Sequence, residues 1–221
     1  MVSILRGGCF YTPAKKLSYQ FFAEGCFSAS RPACNRYNQR VFFFHDLLYY
    51  QLVALVKIIS GEKNSGKTSL ASKLVMEYGS RGKRVAGFLS VSESKAKDSY
   101  FFKNIETEEL FKAVAEIPPS GDDGWRLYDF SKFYFSDSAF TAANSILEKV
   151  MDDKGDDDSK KPGIVVIDEI GPLELSGRGF LYSVQRLIRE FSGTIIIVIR
   201  ESLVNEFINR LGLINPEILK P

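Results

Sequence analysis

Beyond residue 40 the sequence contains no cysteine; its three cysteines, Cys9, Cys26 and Cys34, all precede that point. Three thiols cannot pair completely, and the gaps between them match no usual zinc-ligand spacing, so a disulfide framework and a cysteine zinc site are not expected. The cysteine-free remainder fits a chain kept in a reducing, cytoplasmic compartment. Histidine is scarcer still. His45 is the only one, beside a Phe-rich run where a buried, hydrogen-bonded side chain fits better than a metal ligand. Long apolar runs are missing too: the longest, 41–59, is broken by His45, Asp46, Gln51 and Lys57. A bilayer span needs about 20 nearly uncharged residues. The chain also does not open on a charged stretch followed by an apolar run of about 7–15 residues, as a secretory signal would. No membrane partner is expected.

What is present divides into two chemically different parts. The formal net charge of +2 over 221 residues averages a basic start and an acidic remainder. Residues 1–40 hold Arg6, Lys15, Lys16, Arg31, Arg36 and Arg40 against Glu24 alone, leaving 23 basic and 26 acidic residues beyond. We therefore divide the chain into an N-terminal extension of unknown role, 1–50, and one α/β domain, 51–221. The composition of 1–40 fits an organellar transit peptide, a basic appendage or a start codon assigned too early, and these stay open. Nucleic acid is not an expected partner of the acidic domain, and only residues 1–40 offer it a basic surface.

Within the domain, Leu52–Ser60 (LVALVKIIS) reads as a buried strand. A helix follows from Gly66, with Leu70, Leu74, Val75 and Tyr78 on one face, stopping near Gly79–Gly82. Arg84–Leu89 gives a second strand, and the aromatic pieces within 90–130 predict antiparallel strands. A helix begins near Asp137 with Ser136 as N-cap and Phe140, Ala143, Ile146, Leu147 and Val150 in register. The run 152–163 carries five aspartates. It lacks the alternating acids, central glycine and terminal glutamate of a calcium loop, and reads as a solvated connection. Gly163–Asp168 and Thr194–Ile199 are continuous apolar strands. Arg178–Phe191 and Ser202–Leu211 are amphipathic helices. The tail 213–221 carries too little pattern to assign. Apolar strands alternating with such helices imply a largely parallel sheet covered on both faces.

Residues Gly61, Glu62, Lys63, Asn64, Ser65, Gly66, Lys67 and Thr68 match G-x-x-x-x-G-K-[ST] at every fixed position, between a strand and a helix. The glycines let backbone N–H groups curl toward phosphate oxygens, and the helix N-terminus reinforces the attraction. Lys67 supplies a cation to the β- and γ-phosphates and the Thr68 hydroxyl a ligand to Mg²⁺, with Ser69 beside them. The strand GIVVID ends at Asp168, placed to hold Mg²⁺ or a water bound to it. Glu169, one residue on, is placed to orient an attacking water and accept its proton. The 101 residues from Lys67 to Asp168 exceed one crossover helix, so at least one further strand intervenes in sequence.

GEKNSGKTSL, VVIDEIGPLEL and the following helix with Phe180 together resemble the nucleoside-triphosphatase family that includes thermophile enzymes and the vertebrate cancer-related nucleoside triphosphatase. The resemblance covers about 53–211 and is most specific at Ile167–Leu175. It implies a three-layer P-loop fold of the RecA-like type, with an additional strand separating the two motif strands in space. It also implies Mg²⁺-dependent hydrolysis of several nucleoside triphosphates, with Lys67 and Thr68 on phosphate and metal, Asp168 on metal and Glu169 on water. Two departures stand out. The family's G-x-R-x-G-F stretch is replaced by SESKAKDSYFF, where Lys95 or Lys97 would substitute poorly for an arginine's planar fork. The strand TIIIVI ends in Arg200-Glu201, where relatives often carry histidine or arginine.

Transition-state charge needs a cation beyond Lys67, and Arg200 is the best placed, ahead of Arg178 and Arg81. Its alternative is a surface salt bridge with Glu201 or Glu206. Glu174 reads equally as support for the metal site or as an exposed turn residue. No N-K-x-D or T-K-x-D motif reads guanine, so ATP, GTP, CTP and UTP are all expected substrates. Two competing readings remain: a P-loop small-molecule kinase, and a nucleotide-switched RNA- or protein-binding ATPase.

Overall fold

The computed structural model describes residues 54–94, 96–121, 123–152 and 161–221. The expected N-terminal extension, the cysteines, His45, Lys95 and most of the acidic connection lie outside the described residues. Within them a nine-stranded sheet runs in the order β5-β6-β4-β3-β2-β7-β8-β1-β9. Its centre is made of the apolar runs: β1 (Leu55–Gly61), β2 (Val85–Val91), β7 (Ile164–Ile170) and β8 (Thr194–Arg200). These pair in parallel, as does β9 (Glu217–Leu219) along β1. β8 stands between β1 and β7, so an additional strand does separate the two motif strands.

Side chains alternate between two cores. On β8, Ile195, Ile197 and Ile199 face one and Ile196 and Val198 the other, all fully buried. Helix α1 (Lys67–Ser80) covers the smaller core with Ala71, Leu70 and Leu74. Helices α2 (Asp137–Asp152), α4 (Leu181–Glu190) and α5 (Val204–Leu211) cover the larger. This explains why the central strands lack polar alternation: both faces are buried.

The region 90–130 does form antiparallel strands: β3 (Ser99–Asn104), β4 (Leu110–Ala115) and β5 (Trp125–Leu127), joined by β6 (Tyr134–Ser136). They extend the sheet from β2 as a wing. Beneath its junction with the parallel part lies a ring cluster. Phe88 packs on Phe102 and Phe180 at 4.9 and 5.1 Å, and Phe140 stacks on Phe180 at 5.7 Å. Gly87 makes the close pairing of β2 with β7 possible, where it lies opposite Val166. Its φ is 107°, and a Cβ there would lie 2.0 Å from the Val166 carbonyl oxygen.

The helix expected from Arg178 begins instead at Leu181, after a short helix α3 (Pro172–Leu175). Gly177 and Gly179 take φ of 88° and 60°, a left-handed backbone incompatible with a helical first turn. The tail without pattern becomes β9, and Lys57 pairs with Glu217 at 2.9 Å across it. Ser136 caps α2 as expected, its Oγ accepting the Ala139 N–H at 3.3 Å. Ser136→Ala should lower stability by about 1 kcal/mol, read as a lower urea midpoint at unchanged slope.

Candidate active site

The loop after β1 wraps round its own backbone. Gly66 has φ of 94° and Asn64 of 65°, and Ser65 N–H bonds to Glu62 O at 3.2 Å. A Cβ on Gly61 would sit 2.5 Å from Ser65 Oγ, so any larger residue there would force the Ser65 side chain to move. Helix α1 follows at once, its first N–H groups directed into the loop. Lys67 is buried and its Nζ donates to Glu62 O at 2.7 Å. Its charge is thereby held over the loop mouth, not extended into solvent.

β7 delivers the carboxylates. Asp168 is fully buried; its Oδ2 accepts the Ser90 N–H of β2 at 3.2 Å, and the Thr68 hydroxyl lies close enough to the carboxyl to favour its ionised form. Its Oδ1 has no partner among the described residues. Burial pushes its pKa up to about 7, and Glu169 adds to the rise. The Thr68 hydroxyl, the Ser90 hydrogen bond and the Lys67 charge oppose it. In the β7–β8 register Asp168 faces Val198 and Ile170 faces Ile199, so Glu169 is the extra residue of a bulge. That irregularity aims Glu169 at the cleft, where its Oε1 accepts from Arg200 Nε at 3.1 Å.

A cleft of about 590 Å³ joins these groups. Lys63 through Ser69, Glu169 and Arg200 line one end; Gly61, Glu62 and Asp168 are not among its lining residues. Arg200 pairs with Glu169 and not with either surface partner expected for it, Glu201 being held by Lys220 at 2.6 Å. Arg81 bonds Glu77 on α1, and Arg178 lies over the Tyr128 ring at 5.0 Å; neither lines the cleft. Glu174 is buried, not an exposed turn residue. Its Oε2 accepts the Gly171 N–H at 2.9 Å, and burial pushes its pKa up to about 8.

The sequence reading missed several lining residues, Ser90, Ser92 and Tyr100 among them. Ser90 comes from the end of β2 and Ser92 from just beyond it, and Tyr100 from β3, its hydroxyl pKa raised by burial and then by Glu169. Lys97 reaches Asn64 of the loop through its Nζ. The signal for the first two was available: a strand neighbouring the carboxylate strand puts its C-terminal residues at the same sheet edge. Nothing local marked Tyr100, whereas Lys97, on sequence grounds a poor substitute for an arginine there, does line the cleft.

Could the residues present hold a divalent cation? Among the described residues no group of three or more His, Cys, Asp or Glu forms an all-protein cage. Mg²⁺ favours oxygen ligands, keeps several waters and needs only one or two protein oxygens beside substrate phosphates. Thr68 with Asp168 and its unpartnered Oδ1 fits that donor set.

A phosphate-curling loop on β1, paired acids on β7 and one strand between them define a P-loop nucleotide-binding protein of the RecA-like type. The family model for NTPase, NTPase_1, matches residues 57–217, and the chain belongs to that family. It is accordingly a nucleoside-triphosphatase enzyme. Its fold is similar to the crystal structure of THEP1 from the hyperthermophile Aquifex aeolicus, at 22% identity and TM-score 0.55, over 75% of this chain and 87% of that one. It is also similar to the solution structure of a human cancer-related nucleoside triphosphatase, at 21% identity and TM-score 0.55, over 76% and 88%. A search of curated proteins returned no match. Among the described residues no helix is long and apolar enough to cross a membrane.

Proposed function

We propose that the chain hydrolyses nucleoside 5'-triphosphates, ATP, GTP, CTP and UTP alike, to the diphosphate and phosphate, with Mg²⁺ as cofactor. The observation that carries this reading is the buried Asp168 carboxyl, whose Oδ1 has no partner among the described residues, standing beside Thr68 at the end of the phosphate loop. The backbone N–H groups of Gly61 to Ser69 hold the phosphate chain. Lys67 swings from the Glu62 carbonyl onto the β- and γ-oxygens. Thr68 and Asp168 would hold the metal, Asp168 directly or through a water. When bound, the metal neutralises charge on the β- and γ-phosphates. Glu169 orients the attacking water and accepts its proton. Arg200 keeps Glu169 in position and brings positive charge to where the γ-phosphoryl charge develops. The cleft end around the loop carries no guanine-reading motif, which favours loose reading of the base.

Malachite-green phosphate release from each of the four triphosphates tests this directly. Release from all four within about a tenfold range of kcat/KM is expected, a discrimination of about 1.4 kcal/mol. Chelation by EDTA should stop it and excess Mg²⁺ restore it. Release that needs an added acceptor, or that survives EDTA, would overturn the reading.

A further inference from the structure

The cleft has a second half that hydrolysis does not use. Along the sheet edge the order is the loop on β1, Arg200 on β8, Asp168 and Glu169 on β7, Ser90 to Ser92 at the C-terminal end of β2, and then the wing. Because Thr68 stands beside Asp168, the reacting end of a triphosphate points toward β7, and its base points away from the wing. The wing half therefore adjoins the γ-phosphoryl group. It is lined by Tyr100, Phe102, Phe133, Phe135, Phe140 and Phe180.

Those rings are arranged as a wall. Tyr100 meets Phe133 edge-on at 6.0 Å and Phe102 meets Phe140 edge-on at 5.1 Å. Phe133, Phe135 and Phe140 stay partly exposed in it. Water needs no aromatic wall, and an apolar cleft with few polar groups is the usual build of a small-molecule site, which spans roughly 300–1,000 Å³; the cleft here is about 590 Å³. Glu174 is the carboxyl of this half. Its Oε1 has no partner among the described residues, though only 3% of the residue is exposed. A hydrogen-bonding group on a ligand would relieve that cost. The rings favour a flat aromatic body over an aliphatic one, through edge and face contacts.

We propose that the wing half is an acceptor subsite for a small aromatic alcohol, so that the chain also transfers the γ-phosphoryl group to that alcohol's hydroxyl. The inference rests on the nucleotide reading above. The hydroxyl oxygen bonds to the γ-phosphorus as the bond to the β,γ-bridging oxygen breaks. The nucleoside diphosphate leaves with that bridging oxygen, and the hydroxyl proton passes to Glu169. The products are a phosphate monoester and a nucleoside diphosphate, and no further reactant is needed. The same carboxylate then serves water or alcohol, and occupancy of the wing half decides which.

The test uses the full chain with ATP radiolabelled at the γ-phosphate. Benzyl alcohol, 4-pyridinemethanol and adenosine are supplied separately at millimolar concentration, and labelled monoester is separated from free phosphate. At least one alcohol should yield labelled ester. Phe133→Ala and Glu174→Leu should each lower the ratio of ester to free phosphate at least tenfold, a quantity that general loss of folded protein does not change. Free phosphate alone with all three alcohols overturns the subsite, as does an ester ratio that neither variant alters. Failure to split ATP with or without alcohol overturns the nucleotide reading, and the subsite with it.

Discussion

Glu169→Gln is expected to leave nucleotide bound while phosphate release slows by about 10²–10⁴-fold, the usual worth of a positioned general base. The glutamine keeps an oxygen for the Arg200 Nε–H, so the bulge and the pair at 3.1 Å persist and only proton acceptance is lost. Lys67→Ala should behave differently, losing binding and turnover together. Its charge is the one buried cation at the loop, and the variant leaves Glu62 O without its Nζ partner. Titration with a fluorescent ATP analogue beside single-turnover phosphate release separates the two. A Glu169→Gln enzyme at near-normal rate would remove Glu169 from the chemistry. A fully active Lys67→Ala enzyme would sink the whole scheme.

The contrast between these variants follows from how the two motifs are built, and that is also why they were legible in sequence. The phosphate loop is local. Gly61, Gly66, Lys67 and Thr68 lie within eight residues, and the turn they make needs no distant partner beyond its flanking strand and helix. Asp168 was readable because a strand buried on both faces is uniformly apolar, and a carboxylate at its end stands out. The extra strand between β1 and β7 followed from the resemblance, not from any pattern in TIIIVI itself.

What stayed hidden depends on long-range pairing. Arg200 and Glu169 are 31 residues apart, and their contact arises only because β8 lies beside β7 with a bulge that turns Glu169 outward. The strand β9 has three residues of ordinary polarity and exists through its pairing with β1. Glu174 looked ambiguous because a single charged residue in a turn is normally solvated. Its burial comes with the left-handed glycines at 177 and 179, which let the backbone close over it; a Cβ on Gly179 would lie 2.3 Å from Glu174 Oε1. The helix start at Leu181 and the burial of Glu174 are thus one event.

That burial sets up the second large effect. Both Asp168 and Glu174 are carboxyls whose folded pKa lies above the ordinary value, near 7 and near 8, with burial as the leading cause. Below about pH 3 both states hold nearly all of these protons and neither group affects stability. As pH rises, the unfolded chain releases its protons first while the folded chain keeps them, so the unfolded state gains and stability falls. The loss accumulates at up to about 1.4 kcal/mol per pH unit for each group and is complete once pH passes the folded pKa. For Glu174 the window runs from its ordinary value of 4.5 to about 8, and the total is on the order of a few kcal/mol. Glu174→Gln removes that titration and keeps an oxygen for the Gly171 N–H. The variant should match the parent near pH 4.5 and exceed it by roughly 2–4 kcal/mol at pH 8.5, in metal-free and nucleotide-free protein. Urea unfolding of both proteins at half-unit steps measures the difference. Parallel curves across the window would mean that Glu174 ionises as freely folded as unfolded, and that its carboxyl is hydrated. A gap that opens between pH 5 and 8 and then stays constant would identify the group by its midpoint. It would also separate Glu174 from Asp168, whose own loss is complete about one pH unit lower.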